Sequence, residues 1–167
     1  MAADTIFSIT QIEVALAQYF GYRANVIVPK VSWGLLNHEA DLLIMNKTGY
    51  LTEIEIKRSW ADFLADFRKK HTHDDSKVSW LYYAVPKSIV DKCKAKLEEV
   101  DPNKKWGLIE YGGDSYGECW PNTIYLPSNS TRHNPAKKLS LEEQFKLARL
   151  GAMRTWSIKE KIISNGK

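Results

Sequence analysis

The chain has little cysteine, no long apolar run and no repeat, and each absence excludes something. Only two cysteines, Cys93 and Cys119, occur among 167 residues, and no CxxC pair is formed. A disulfide scaffold and a cysteine-based zinc module are therefore not expected, and reduced thiols are. No stretch approaches the roughly 20 consecutive apolar residues of a membrane span. The opening MAADTIFSIT has neither a basic n-region nor an apolar h-region, so a cytoplasmic protein without a secretory signal is expected. No low-complexity segment interrupts the chain. Its length suits a single domain, residues 1–167, with a core of its own.

What is present is an ordinary globular composition, 44% hydrophobic and 26% charged, with a net charge of +4. That balance is compatible with a polyanionic partner without demanding one. The distribution is more informative. Basic residues gather in Arg68-Lys69-Lys70, Lys92-Lys94-Lys96, Lys104-Lys105 and Lys137-Lys138, whereas acidic residues recur in the middle of the chain.

Hydrophobic periodicity and breakers predict the order α-β-β-β-α-β-α-β-β-α. Thr10-x-x-Glu13 reads as a capping box opening the first helix. A strand is expected over 23–31, and two hairpin strands over 39–46 and 50–58. Ser59 can cap a helix running to Lys70, and Val78–Val85 reads as a strand buried on both faces. A helix over 88–100 and strands over 106–111 and 122–126 follow. Ser140-x-x-Glu143 then opens a last helix whose apolar stripe is Leu141, Phe145 and Ala148, flanked by Leu147 and Leu150. Such an order implies an α/β fold, a mixed central sheet flanked by helices.

The hairpin raises the functional question. Acidic residues are poor strand formers, yet the second strand reads Glu53-Ile-Glu55-Ile-Lys57. A three-residue loop Lys47-Thr48-Gly49, with glycine in the left-handed position, sets Asn46 opposite Tyr50. Counting back, Asp41 then opposes Glu55 and Glu39 opposes Lys57, while Glu53 shares their face and Thr52, Ile54 and Ile56 face a helix layer. Opposed like charges destabilise a strand pair. A divalent cation, Mg2+ or Mn2+, would compensate, because one or two carboxylates suffice to hold it beside a phosphate. Lys57 could then orient or deprotonate an attacking water, or neutralise the carboxylates.

Asp41 followed by Glu55-Ile56-Lys57 resembles the D…(D/E)-x-K signature of the PD-(D/E)XK nuclease superfamily. The run EIEIKRSWADFLADF with the later WLYYAVP resembles the MmcB-related DNA repair proteins, over about residues 39–86. Ala40 stands where the superfamily's name has proline. The resemblance implies a restriction-endonuclease-like fold and metal-dependent hydrolysis of DNA, with RNA left open as a substrate and a homodimer as one arrangement. It makes Asp41 and Glu55 metal ligands and Lys57 the catalytic lysine, and it matches Glu13 to a further metal-ligating glutamate on the first helix. Replacing Asp41, Glu55 or Lys57 by alanine is then expected to abolish cleavage while leaving the fold intact. The alternative is a non-catalytic nucleic-acid-binding or repair accessory module of the same fold; a plain structural hairpin is the third reading.

Around this core lie weaker candidates. Asp62 and Asp66 are expected to cap and solvate, and Glu39 and Glu53 to be supporting or solvated charges. Lys77 or Tyr82 could reach the site from the next strand. Residues 71–75, His-Thr-His-Asp-Asp, lack a further partner for a zinc site. Arg132, His133 and Arg154 are candidate phosphate contacts, and exposed tryptophans could stack on bases.

Overall fold

The structure, a computed structural model, describes residues 6–32, 34–68, 75–102, 105–126 and 137–165. Its elements follow the expected order: α1 (Ile9–Tyr19), β1 (Val26–Val31), β2 (Ala40–Met45), β3 (Leu51–Ile56), α2 (Trp60–Asp66) and β4 (Val78–Pro86), then α3 (Val90–Val100), β5 (Trp106–Gly113), β6 (Cys119–Tyr125) and α4 (Leu141–Asn165). A 3₁₀ turn, Lys87–Ile89, leads into α3. The strands form one sheet in the order β1-β2-β3-β4-β5-β6. Pairs β1–β2, β2–β3 and β5–β6 are antiparallel. The central β3–β4–β5 trio is parallel, because α2 and α3 serve as the crossovers that parallel neighbours require. The protein is thus α/β with a mixed six-stranded sheet and helices around it. Among the described residues, no helix is long and apolar enough to cross a membrane.

One face of the sheet presents Leu42, Ile44, Ile54, Ile56, Tyr82, Ala84 and Ile109 to Ile12 and Leu16 of α1. Ile54 and Ile56 therefore face a helix layer, as the alternation predicts. The other face is covered in two parts. Phe63 of α2 and Cys93 and Leu97 of α3 lie over Tyr83, Val85 and Leu108. Leu147 of α4 lies over Val28, Leu43, Met45 and Leu51. Both cysteines are free thiols, and burial pushes Cys93 up to about 12.

Two expectations about helix ends meet different outcomes. Ser59 caps α2 as predicted, its Oγ accepting from Asp62 N at 3.2 Å. The described helix ends at Asp66 with Phe67 as its C-cap, whereas its expected extension to Lys70 runs partly outside the described residues. In α1 the cap is Ser8, not Thr10. Ser8 Oγ accepts from Gln11 N, and Gln11 Oε1 accepts from Ser8 N at 2.8 Å. Glutamine completes a capping box as well as glutamate does, so the box sits two residues earlier and Glu13 is free of that duty. Ser8→Ala should cost about 1 kcal/mol, and Thr10→Ala should cost nothing measurable; urea melts of the two variants check it.

The last helix is capped as expected, Ser140 N donating to Glu143 Oε2 at 2.9 Å, but it docks by the opposite face. Leu141 and Phe145 are 83% and 70% exposed and Ala148 is exposed, whereas Leu147 is buried and Leu150 packs beside it. The helix carries apolar residues on both sides, so periodicity alone cannot choose between them. Close approach decides: a Cβ added at Gly151 would come 3.1 Å from Val28 Cγ2. Lys146 and Arg154 then tie α4 to the carbonyls of Gly34 and Lys30 at 2.7 Å each.

Candidate functional site

The hairpin between β2 and β3 has the register that its turn chemistry predicts. Gly49 takes φ +85° and its N–H donates to Asn46 O at 3.0 Å. The side chain of Asn46 accepts from both Thr48 N and Tyr50 N at 3.0 Å. The resulting pairs are Met45↔Leu51, Ile44↔Thr52, Leu43↔Glu53 and Leu42↔Ile54. One step further, Asp41 lies beside Glu55, which in turn pairs with Tyr83 of β4. Asp41 Oδ2 accepts from Ile56 N at 2.9 Å, crossing the gap where the ladder ends.

Lys57 follows β3 and is held at both ends. Its N–H donates to Ala84 O at 2.9 Å, and its carbonyl accepts from Tyr111 Oη at 3.0 Å. Its ammonium lies 2.9 Å from Glu55 Oε2 and 3.1 Å from Asp66 Oδ1, with the Tyr83 ring centroid 5.8 Å away. Tyr83 Oη donates to Asp66 Oδ2 at 3.1 Å. Lys57 is 3% and Glu55 4% exposed, so bulk water screens these charges little. Burial alone would push the lysine's pKa down, but Glu55 and Asp66 outweigh it and the pKa is raised. Burial and the Asp66 carboxylate likewise keep the Tyr83 phenol protonated. In this arrangement Lys57 is a fixed cation, suited to stabilising negative charge and unable to take a proton. Of the roles open to it from sequence, deprotonating a water is the one the geometry does not favour.

Asp66 was expected to solvate the helix surface. Instead it is buried and completes the Glu55–Lys57–Asp66 trio. The signal was the four-residue spacing from Asp62 on a helix whose apolar face, Phe63 with Phe67, turns toward the sheet. Asp62 keeps the expected capping role, accepting from Arg58 N at 2.9 Å.

The carboxyl of Asp41 has a raised pKa, chiefly from burial, opposed by the Ile56 hydrogen bond and by Lys57. Glu13 is also raised, again chiefly by burial; Lys30 and Arg154 oppose this and the Asp41 charge adds to it. Glu13 and Asp41 therefore feel each other, an arrangement that a cation would relieve. Among the described residues, however, no three His, Cys, Asp or Glu side chains converge as a closed metal cage. The geometry brings Asp41, Glu55 and Lys57 together and leaves Glu13 at the margin. Two adjoining carboxylates fit magnesium, which keeps several waters and is commonly held by one or two acidic side chains with phosphate. They do not make a zinc-type site.

A second buried pair lies two residues down β3. Glu53 is wholly buried and its carboxylate oxygens lie 2.7 and 2.9 Å from His38 Nε2. Glu39 is exposed. Lys77 does not reach the site: its ammonium bonds Leu35 O at 2.8 Å and Glu143 at 2.9 Å, joining a loop to α4. Tyr82 packs on Phe20 in the opposite core. Trp120 and Trp156 are exposed, and Trp60 and Trp106 pack against the α2–α3 core. Trp33, His71, His73, Arg132 and His133 lie outside the described residues.

The fold and the site together define an α/β protein with an acidic pair and a buried lysine at the mouth of a hairpin. No protein-family model and no curated protein matches the chain. Among solved structures it is similar to the SPO1766 protein of unknown function from Silicibacter pomeroyi, at a TM-score of 0.58 and 15% identity. That match covers 99% of this chain and 96% of the other. A likeness at this identity extends to the fold.

A metal held at Asp41 and Glu55 would have a thermal consequence. Magnesium at about ten times its dissociation constant should stabilise the protein by about 1.4 kcal/mol. For a domain of this size that is a shift of roughly 3–6 °C. Asp41→Asn and Glu55→Gln should lose most of the shift, and Glu53→Gln should retain it from whatever baseline it melts. Melts with and without Mg2+ or Mn2+ test this, and a wild type indifferent to both ions refutes the metal site.

Proposed function

We propose that the protein is a metal-dependent nuclease of the PD-(D/E)XK type that hydrolyses DNA phosphodiester bonds. One observation carries the reading: Asp41, Glu55 and Lys57, which resemble that superfamily's signature in sequence, meet at one corner of the sheet. Asp41 and Glu55 would hold Mg2+ or Mn2+, with Glu13 at the edge of the site. The ion would polarise the phosphate and lower the pKa of the attacking water. Lys57, fixed and protonated, stabilises the charge that develops on the phosphate. Asp66 and Tyr83 hold that ammonium in place, and the carboxylate of Asp41 is oriented by Ile56 N–H.

The direct test is incubation with labelled single-stranded and duplex DNA in Mg2+ and in Mn2+. Shortened products that depend on metal are expected. A substrate that stays intact in both metals across both strand forms, while still being bound, favours the accessory-module reading instead. Among the described residues only the two carboxylates of Asp41 and Glu55 adjoin there, with no third ligand converging on them, and this keeps that second reading alive.

A further inference from the structure

We propose that Lys30 and Arg154 form a phosphate-binding rim beside Asp41, built to take the anionic backbone of a nucleic acid. This deepens the nuclease reading and rests on it. The pairs Pro29↔Leu42 and Val31↔Ala40 bracket Lys30 and Asp41, so Lys30 occupies the cross-strand position of Asp41 on the edge strand. The row across the sheet is then Lys30, Asp41, Glu55 and Tyr83: a cation, two carboxylates and the phenol that steadies Asp66.

Lys30 is the one described non-glycine residue with a positive φ, 52°. Side chains seldom adopt that left-handed conformation, and it collects at ligand sites, where surrounding structure must enforce it. The enforcement is visible. Arg154 Nη2 reaches from α4, 124 residues away, and donates to Lys30 O at 2.7 Å. One guanidinium donor is thus spent on a backbone carbonyl, and the rest of the fork suits the paired oxygens of a phosphate.

Both side chains are exposed, and neither forms an ion pair with a carboxylate of the described residues. Lys30 stands across the strand pair from Asp41 and Arg154 bonds the Lys30 carbonyl, which sets both cations at the corner that Asp41 occupies. Cations held close to carboxylates yet unpaired with them leave room for an anion between. A phosphodiester suits both halves of the corner, because its oxygens can meet the rim and a carboxylate-held metal together.

The test is fluorescence anisotropy with labelled duplex and single-stranded DNA in Ca2+, using Lys30→Gly, Arg154→Gln and, as control, the exposed Lys161→Gln. Lys30→Gly removes the ammonium and relieves the positive φ, so it should melt no lower than wild type while binding worse. Each rim variant should lose at least about fivefold in affinity. The log–log salt slope on duplex DNA should fall by about 0.9 for each lost contact, and Lys161→Gln should match wild type. Affinities and slopes unchanged in Lys30→Gly or in Arg154→Gln overturn the paired rim. A parallel melt with pyrophosphate separates this proposal from the nuclease reading. If the wild type binds no DNA, yet pyrophosphate stabilises it and not a variant carrying both Lys30→Gly and Arg154→Gln, the anion site stands and nucleic acid is removed as partner. If neither DNA nor pyrophosphate has an effect on the wild type, the rim falls too.

Discussion

Lys57→Ala is expected to lower the stability of the metal-free protein by about 3–5 kcal/mol, the usual cost of stripping a buried ion cluster of one sign. The substitution leaves Glu55 and Asp66, both buried, facing each other without the ammonium between them. At about 2–4 °C per kcal/mol for a chain of this length, the melting point should fall by roughly 6–20 °C. Asp66→Asn is the informative comparison. It removes one of the two negative charges, keeps an acceptor for Tyr83 Oη, and leaves Lys57 paired with Glu55, so it should cost far less. A Lys57→Ala melt within about 2 °C of wild type would show that the trio is not a buried cluster in solution. The structure thus revises the expectation that Lys57→Ala removes activity and leaves the fold intact. Lost cleavage in that variant will not by itself identify a chemical role.

Cleavage should instead be read from Asp41→Asn and Glu55→Gln. Asparagine can still accept from Ile56 N, and glutamine can still accept from Lys57 Nζ, so each variant removes charge while keeping the hydrogen bond that shapes the site. Loss of a metal-holding carboxylate removes both charge stabilisation and water activation. Losing even one positioned electrostatic contact typically costs about 10²–10³-fold in turnover. A fall of at least about 100-fold is therefore expected for each variant, in Mg2+ and in Mn2+, with melting points no more than slightly changed. Glu13→Gln should fall less, because Glu13 adjoins Asp41 without joining a closed ligand set. Rates within a factor of three of wild type in both Asp41→Asn and Glu55→Gln would sink the assignment, whatever the protein cleaves.

Much of the geometry that matters is legible in the sequence, because it is local. The period of two in β2 and β3, the glycine of the Lys47–Gly49 turn and the Asn46 side chain specify the hairpin register. That register in turn sets Asp41 beside Glu55. The α2 cap at Ser59, the α4 box at Ser140 and Glu143, and the continuous apolar run of the largely buried β4 likewise follow from short-range chemistry. Sequence could not place groups whose roles depend on partners far along the chain. Asp66 becomes a clamp only because α2 crosses over to place β4 parallel to β3, bringing Tyr83 and Lys57 to it. Glu53 is buried because His38 folds back over it. Lys30 and Arg154 meet across 124 residues, and α4 turns its Leu147 side inward although Leu141 and Phe145 make an equally apolar stripe. Periodicity reports that a face is apolar, and only packing decides which apolar face is covered. Local hydrogen bonds and strand alternation therefore determined the acidic pair, while tertiary contacts decided that its lysine is locked as a cation and that Arg154 reaches Lys30 at its edge.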